Sequence, residues 1–157
     1  MPPSSPLDPS ELSDRAALGG AMLVDLRRCI GCHACSIACK TEHSLPLGEF
    51  RMRVRWQQRP DRPTLAFLPV FDATTCDFGQ NRRSADLPPA CVSACPTGAL
   101  VFDGSDSASA VPDAQPLDAP VATKEGVTYL GLEPWQPMAI GAGAALSDED
   151  DEIIYER

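Results

Sequence analysis

The residues of this chain with the clearest capacity for chemistry are its cysteines. The 157-residue chain contains seven, and four of them form a C-x2-C-x2-C-x3-C run: Cys29, Cys32, Cys35 and Cys39. Cysteine thiolates bind iron–sulfur clusters because sulfur is a soft, polarizable ligand. Three cysteines at three-residue intervals let one tight loop wrap a cluster, and Gly31 permits close approach of the backbone. The run therefore predicts an iron–sulfur site.

The last cysteine of the run predicts a second cysteine group elsewhere in the chain. Cys39 lies one helical turn beyond Cys35, too far round to bind the same cluster. In bacterial proteins with two clusters, the fourth cysteine of such a run binds the other cluster. The remaining cysteines, Cys76, Cys91 and Cys95, supply this second group.

A disulfide framework and a zinc site are the alternatives to iron–sulfur clusters. An odd number of cysteines, most of them closely spaced, fits a disulfide framework poorly. The C-x2-C spacing also occurs in zinc sites, so a zinc-stapled interaction module without a redox role is an alternative from another class of protein. The triple spacing followed by x3-C is more typical of clusters.

Composition and motifs argue against several other functions. The net charge of −9 argues against a nucleic-acid partner or binding to anionic membranes. No apolar run has the length of a direct membrane span, and the first residues show neither the basic nor the apolar region of a signal peptide, so none is expected. We therefore predict a cytoplasmic protein, or one exported or membrane-associated only through a partner subunit. The sequence contains no nucleophile–base pair or paired-carboxylate site, which predicts no catalytic residues and a non-catalytic role.

Short strands and helices are predicted around both cysteine groups. Residues 21–26 are predicted as a buried strand that leads into the first group, and residues 36–43 as a short helix. Residues 90–95 are predicted as a helix ended by Pro96, followed by a strand at 99–102. The two halves thus form an imperfect repeat around the clusters.

Residues 50–56 alternate apolar and basic side chains, which predicts a half-buried strand. The apolar positions, expected to face the core, are Phe50, Met52, Val54 and Trp56. The basic positions, expected to face solvent, are Arg51, Arg53 and Arg55. Residues 64–71 are predicted to return as a partner strand, so that a β-hairpin insertion occupies about 48–72.

We predict an α+β fold with one two-cluster domain over residues 21–102 and extended N- and C-terminal arms. Residues 1–20 form the N-terminal arm. Residues 103–157 comprise an extended linker, an apolar docking segment at 127–132 and an acidic C-terminal tail that includes residues 148–152. With 6% aromatic residues and 16 prolines, the apolar core is expected to be small, and metal binding is expected to stabilise the fold.

Three segments carry a resemblance to a known family. The segment from Met22 to Lys40 resembles the first cluster motif of the iron–sulfur electron-transfer (beta) subunits in the DMSO-reductase (complex iron–sulfur molybdoenzyme) family. Residues 76–79 with 87–100 resemble the closing motif of that family, and residues 129–132 resemble its end segment. Typical members carry four clusters, whereas this chain has cysteines for two at most, so it resembles a shortened form.

The resemblance implies a bacterial dicluster ferredoxin-like fold and an electron-transfer function. The chain would relay single electrons between a large molybdopterin-containing (molybdenum or tungsten) catalytic subunit and a downstream acceptor. That acceptor would be a haem, a quinone-linked membrane subunit or a soluble protein. A free-standing seven-iron ferredoxin is the alternative that shares this chemistry without the partner.

The resemblance also implies a ligand set for each cluster. The ligands of cluster 1, a [4Fe-4S] cluster, are Cys29, Cys32, Cys35 and Cys95. The ligands of cluster 2 are Cys39, Cys76 and Cys91. The closing motif of the family begins Cys-x2-Cys, but the second of these positions is Gly79 here, which implies a [3Fe-4S] cluster with a vacant corner. A second [4Fe-4S] cluster with Asp77 or a water at the fourth iron, and an absent second cluster, are the alternatives.

Two histidines lie near the four-cysteine run. His33 and His43 are interpreted as surface residues or as neighbours of the ligands rather than as ligands, because cysteines already account for cluster 1.

Overall fold

The computed structural model of this chain describes residues 20–104, 111–119 and 123–140. The predicted N-terminal arm lies outside the described residues except for Gly20, and so do the acidic residues at 148–152 and part of the linker. Within the described ranges, no helix is long and apolar enough to cross a membrane.

The strand before the first cysteine group pairs with the strand after the second group in a four-stranded sheet. Its strands are β1 (Ala21–Asp25), β4 (Leu100–Asp103), β5 (Gln115–Pro116) and β6 (Val127–Leu130), in the order β4-β1-β6-β5. β1 pairs antiparallel with β4 and parallel with β6. Met22 and Val24 on β1 are fully buried in the core. β1 and β4 correspond to the predicted strands at 21–26 and 99–102.

The apolar segment predicted to dock at 127–132 supplies an inner strand of this sheet. β6 lies between β1 and β5, and Val127 and Tyr129 are buried. The Tyr129 hydroxyl donates a hydrogen bond to the Pro69 carbonyl at 2.7 Å. The segment therefore packs on its own domain and ties the sheet to the region around residue 69.

A two-stranded antiparallel hairpin, β2 (Met52–Gln58) and β3 (Leu65–Phe71), lies between the two cysteine groups along the chain. It falls within the range predicted for an insertion. Met52 and Val54 are buried, as the alternating pattern predicts. Alternation places these side chains on one face of the hairpin.

The predicted exposure of the basic positions on β2 is wrong for two of them. Arg53 is 4% exposed and Arg55 is 8% exposed. The guanidinium of Arg53 lies 4.2 Å from the centroid of the Phe50 ring. Gln57, on the same face, donates a hydrogen bond to the Gln136 carbonyl at 2.8 Å, so the segment after β6 covers this face. Alternation in sequence separates two faces of a strand but does not reveal that a later segment covers the polar one.

Three short helices carry or flank cysteines: α1 (Ala34–Glu42), α2 (Gln80–Arg83) and α3 (Ala90–Ala94). α1 begins after His33, whose φ of 60° turns the chain out of the ligand loop. α3 follows Pro89 and ends at Cys95, because Pro96 has no N–H to continue the helix. α1 packs against α3. A 3-10 helix, Pro137–Ala139, follows β6.

Candidate metal centre

Four cysteines surround a first cavity. Cys29, Cys32, Cys35 and Cys95 line about 320 Å³ of empty space, part of it open to solvent. Cys35 is buried, Cys29 and Cys95 are half-buried, and Cys32 is exposed. The structure thus brings together the four residues predicted to bind cluster 1, although their role as ligands stays a prediction.

The other three cysteines surround a second cavity. Cys39, Cys76 and Cys91 line about 340 Å³ of empty space, again partly open to solvent. Gly79, the predicted vacant corner of cluster 2, lines the same cavity. Four cysteines therefore lie around one cavity and three around the other.

α1 and α3 each line both cavities, but they do so in opposite order along the chain. α1 lines the first cavity at Cys35 and the second at Cys39, whereas α3 and its end line the second at Cys91 and the first at Cys95. Residues four apart on a helix lie on the same face, one turn apart. Each helix therefore supplies one cysteine to each cavity.

The β2–β3 hairpin forms a wall of both cavities. Met52 and Phe71, which are paired across the hairpin, line the second cavity. Val54 and Pro69, the next pair on the same face, line the first cavity. Side chains on one face of a strand repeat every ~6.6 Å. The two cavities therefore lie side by side along the hairpin.

The third pair on this face, Trp56 and Phe67, packs on the ligand loop. The indole Nε1 of Trp56 donates a hydrogen bond to the Gly31 carbonyl at 3.0 Å. Trp56 is 44% exposed, so the prediction that it faces the core is wrong, because its ring lies over the loop at the edge of the protein. Gly31 has a φ of +68°, and a Cβ there would lie 2.3 Å from Cδ1 of Phe67. Only glycine fits this position without displacement of the Phe67 ring.

Replacing Gly31 with alanine is expected to destabilise the protein by about 1–3 kcal/mol and to reduce the occupancy of cluster 1, because the ligand loop and the Phe67 ring overlap. Urea unfolding and iron analysis measure both effects. Gly104→Ala is the matched control, since a Cβ at Gly104 has no neighbour within 4 Å. Equal stability and equal iron content in the two variants would contradict this account of the loop.

Burial controls the acidity of most of these thiols in the absence of iron. Burial raises the pKa of Cys35 to about 12. Burial, followed by the charge of Cys76, raises the pKa of Cys39 to about 11. The pKa of Cys91 is raised mainly by burial and then by the charges of Cys39 and Cys76. A group of buried thiolates therefore requires nearby positive charge, which the iron of a cluster supplies.

Half-buried Cys95 differs from the thiols whose pKa is raised. Burial alone would raise its pKa, but hydrogen bonds from the backbone of Leu100 and from the side chain of Thr97 outweigh it, and the pKa is lowered. The Ala99 N–H donates to Cys95 Sγ at 3.3 Å, and the Thr97 hydroxyl lies 3.7 Å from the same sulfur. Hydrogen bonds to a ligating sulfur are one of the factors that set the potential of a cluster.

Replacing Thr97 with valine is expected to lower the reduction potential of cluster 1, because loss of the hydroxyl leaves more negative charge on Cys95 Sγ. The expected shift is about 20–60 mV, as one hydrogen bond to a charged group contributes on the order of 1 kcal/mol of difference between redox states. A potentiometric titration followed by EPR measures it. Thr75→Val, at a residue whose side chain bonds Asp72, should leave this potential unchanged.

An ion pair and a tight turn shape one corner of the second cavity. Asp77 accepts hydrogen bonds from the Gly79 N–H at 2.9 Å and from Arg51 at 3.2 Å. Burial would raise the pKa of Asp77, but the bond from Gly79 and the charges of Arg51 and His43 outweigh it, and the pKa is lowered. The Asp-x-Gly pattern is a turn signal in the sequence, but the pairing with Arg51 depends on packing.

The two histidines lie beside different cavities. His33 lines the first cavity, and its ring centroid is 5.7 Å from that of Trp56. His43 lines the second cavity. Both are half-buried.

The donor set of both cavities fits an iron–sulfur cluster. Cysteine thiolates are the usual ligands of such clusters, and here four of them line one cavity and three line the other. The left-handed backbone of Gly31 brings the loop close to the first cavity without a side chain. Among the described residues, no three His, Cys, Asp or Glu side chains converge on a single-ion site.

Comparisons with known proteins identify relatives over about half of the chain. No model of a protein family matches the chain. The chain is 37% identical over 50% of its length to a subunit of the tetrathionate reductase of Salmonella typhimurium. It is 38% identical over 52% of its length to the thiosulfate reductase electron transfer subunit of Salmonella typhi. It is 32% identical over 50% of its length to a putative dimethyl sulfoxide reductase iron–sulfur subunit of Halobacterium salinarum.

These matches cover 29%, 39% and 31% of the three relatives, so the chain spans about a third of their length. Several relatives are thus iron–sulfur or electron-transfer subunits of reductases. The resemblance predicted from the motifs is therefore confirmed over about half of the chain.

Proposed function

We propose that this chain, a relative of the iron–sulfur subunits of molybdoenzyme reductases, relays single electrons through two iron–sulfur clusters. It acts as a non-catalytic subunit that connects a large molybdopterin-containing catalytic subunit to a haem, quinone-linked or soluble acceptor. The similarity to electron-transfer subunits supports this role. So does the division of seven cysteines between two adjacent cavities, which is the single observation that carries the proposal.

Cluster 1 is proposed as a [4Fe-4S] cluster held by four thiolates, and cluster 2 as a [3Fe-4S] cluster held by three. The clusters supply the one-electron chemistry. A cluster with one fewer thiolate carries less negative charge from its ligands, and its reduction potential is expected to be higher.

The residues around the clusters have separate tasks. The cysteines hold the clusters side by side, because each of α1 and α3 lines both cavities. The β2–β3 hairpin limits the access of water, and the bonds to Cys95 adjust the charge on one sulfur. Exposed Cys32 brings the edge of cluster 1 to the surface, where an electron can leave or enter.

Anaerobic purification of the full chain tests the proposal. The expected result is a brown protein with iron and acid-labile sulfide, and an EPR signal from oxidised [3Fe-4S]. A colourless protein that contains zinc would contradict the electron-relay function and favour an interaction module.

Co-purification tests the partner. A tagged chain isolated from its own organism is expected to carry a larger subunit that contains molybdopterin, which fluorescence of the released pterin detects. A stable monomer without such a subunit would contradict the proposed complex and favour a free-standing ferredoxin.

A further inference from the structure

We propose that His43 binds a fourth metal ion at the corner of cluster 2 that has no cysteine, so that this corner is a reversible site for ferrous iron. This inference rests on the proposed function, because it requires a three-thiolate cluster in the second cavity. It revises the interpretation of His43 as a surface residue or a neighbour of the ligands.

His43 lies next to the ligands of cluster 2. It lines the same cavity as Cys39, Cys76 and Cys91. The backbone N–H of His43 donates to the Cys39 carbonyl at 3.1 Å, so the helical turn continues past the end of α1. Residues four apart in such a turn lie on the same face. His43 and Cys39 therefore face the second cavity from one element.

The residues at the corner without a cysteine share this cavity with His43. Asp77 and Gly79 both line the second cavity. The Asp77 carboxylate accepts the N–H of Gly79 at 2.9 Å. His43 therefore lines the cavity that contains this corner.

The other candidate donor at this corner is already engaged. Asp77 uses Oδ1 for the bond from Gly79 and Oδ2 for the ion pair with Arg51. Gly79 itself has no side chain, and a Cβ there would lie 2.9 Å from the Cα of Pro89. Among the described residues, the imidazole of His43 makes no hydrogen bond. Neutral imidazole is a common ligand of iron.

Binding of the fourth iron requires one electron donor and no other redox partner. A low-potential donor first adds one electron to the oxidised [3Fe-4S] cluster. Ferrous iron then adds to the reduced cluster with no further electron transfer. The lone pair of the imidazole would form the iron–nitrogen bond, three sulfides of the cluster would form the iron–sulfur bonds, and the waters of the ferrous ion would leave.

A ferrous titration of the full chain tests this inference. Anaerobic protein is reduced with dithionite, incubated with increasing Fe²⁺, reoxidised mildly and measured by EPR. In the unaltered chain the [3Fe-4S] signal is expected to fall as iron is taken up. His43→Ala is expected to need at least about 100-fold more Fe²⁺, because even residues that only support metal ligands contribute 10–100-fold to affinity.

Nitrogen coupling separates a ligand from a structural role. With ¹⁵N-histidine in the protein, the reduced, iron-loaded cluster is expected to show coupling to nitrogen in pulsed EPR, and His43→Ala is expected to lose it. Thr41→Ala is the matched control, because Thr41 is exposed on α1 and lines neither cavity, and it should retain both the coupling and the Fe²⁺ midpoint.

The outcomes distinguish this inference from the proposed function. A protein without iron or sulfide would overturn both. Two clusters with an unchanged Fe²⁺ midpoint and unchanged coupling in His43→Ala would overturn only the role of His43. If the unaltered chain is isolated with the fourth iron already bound, His43→Ala must show a [3Fe-4S] signal as isolated, and its absence would overturn the inference.

Discussion

Replacing Cys91 with serine is expected to remove cluster 2 and leave cluster 1, and replacing Cys95 is expected to do the reverse. The two cysteines are only four residues apart, yet Cys91 lines the second cavity and Cys95 the first. Iron per chain should fall by about three atoms in the Cys91 variant and by about four in the Cys95 variant. Iron analysis and EPR of the oxidised protein measure these losses.

The charges that raise the pKa of Cys91 and Cys29 agree with the division of the cysteines between two cavities. The pKa of Cys91 is raised by burial and then by the charges of Cys39 and Cys76, which line the second cavity. The pKa of Cys29 is raised by burial and, among charges, first by that of Cys95, which lines the first cavity. Among the thiols, Cys91 and Cys29 therefore interact most with those that share their cavities.

Ser93→Ala is the control for this pair, because Ser93 lies between the two cysteines and is exposed. It should keep both clusters. If the Cys91 and Cys95 variants lost the same cluster, both cysteines of α3 and its end would bind one cluster. The proposed ligand sets would then be wrong.

Removing the iron from the full chain is expected to abolish its fixed tertiary structure. Cys35 and Cys91 belong to the buried core, and both cavities lie between the helices and the hairpin. Without the clusters this region must collapse or fill with water. Metal binding contributes about 10–16 kcal/mol in small zinc domains, which is comparable with the ~5–15 kcal/mol stability of a whole protein.

Near-UV circular dichroism and urea unfolding, before and after treatment with a chelator and a thiol reductant, measure this effect. Reconstitution with iron and sulfide should restore the signal, which excludes irreversible damage. An iron-free chain that unfolds cooperatively at the same urea concentration as the loaded protein would contradict the expectation.

The spacing of the cysteines is informative because it reflects local geometry. Cys29, Cys32 and Cys35 are close in sequence, so a short loop brings them together in almost any fold. The separation of Cys39 from Cys35 by one helical turn is enough, without tertiary contacts, to indicate two groups. The strands at β1 and β4 follow from short apolar runs beside Gly and Pro.

Other features depend on contacts between distant segments. The alternation in β2 predicts exposed arginines, but Arg53 and Arg55 are buried, and Gln57 on the same face bonds the Gln136 carbonyl of a later segment. The segment at 127–132 is apolar in sequence, but only its pairing with β1 makes it an inner strand.

The sequence by itself determined the type of chemistry, because seven thiols at these spacings favour iron–sulfur clusters over other sites. Only the tertiary structure decided which side chains share a cavity. His43 and Asp77 line the same cavity because the end of α1 and the loop after β3 pack around one space. Such proximity arises from packing between segments more than 30 residues apart, and local sequence patterns do not encode it.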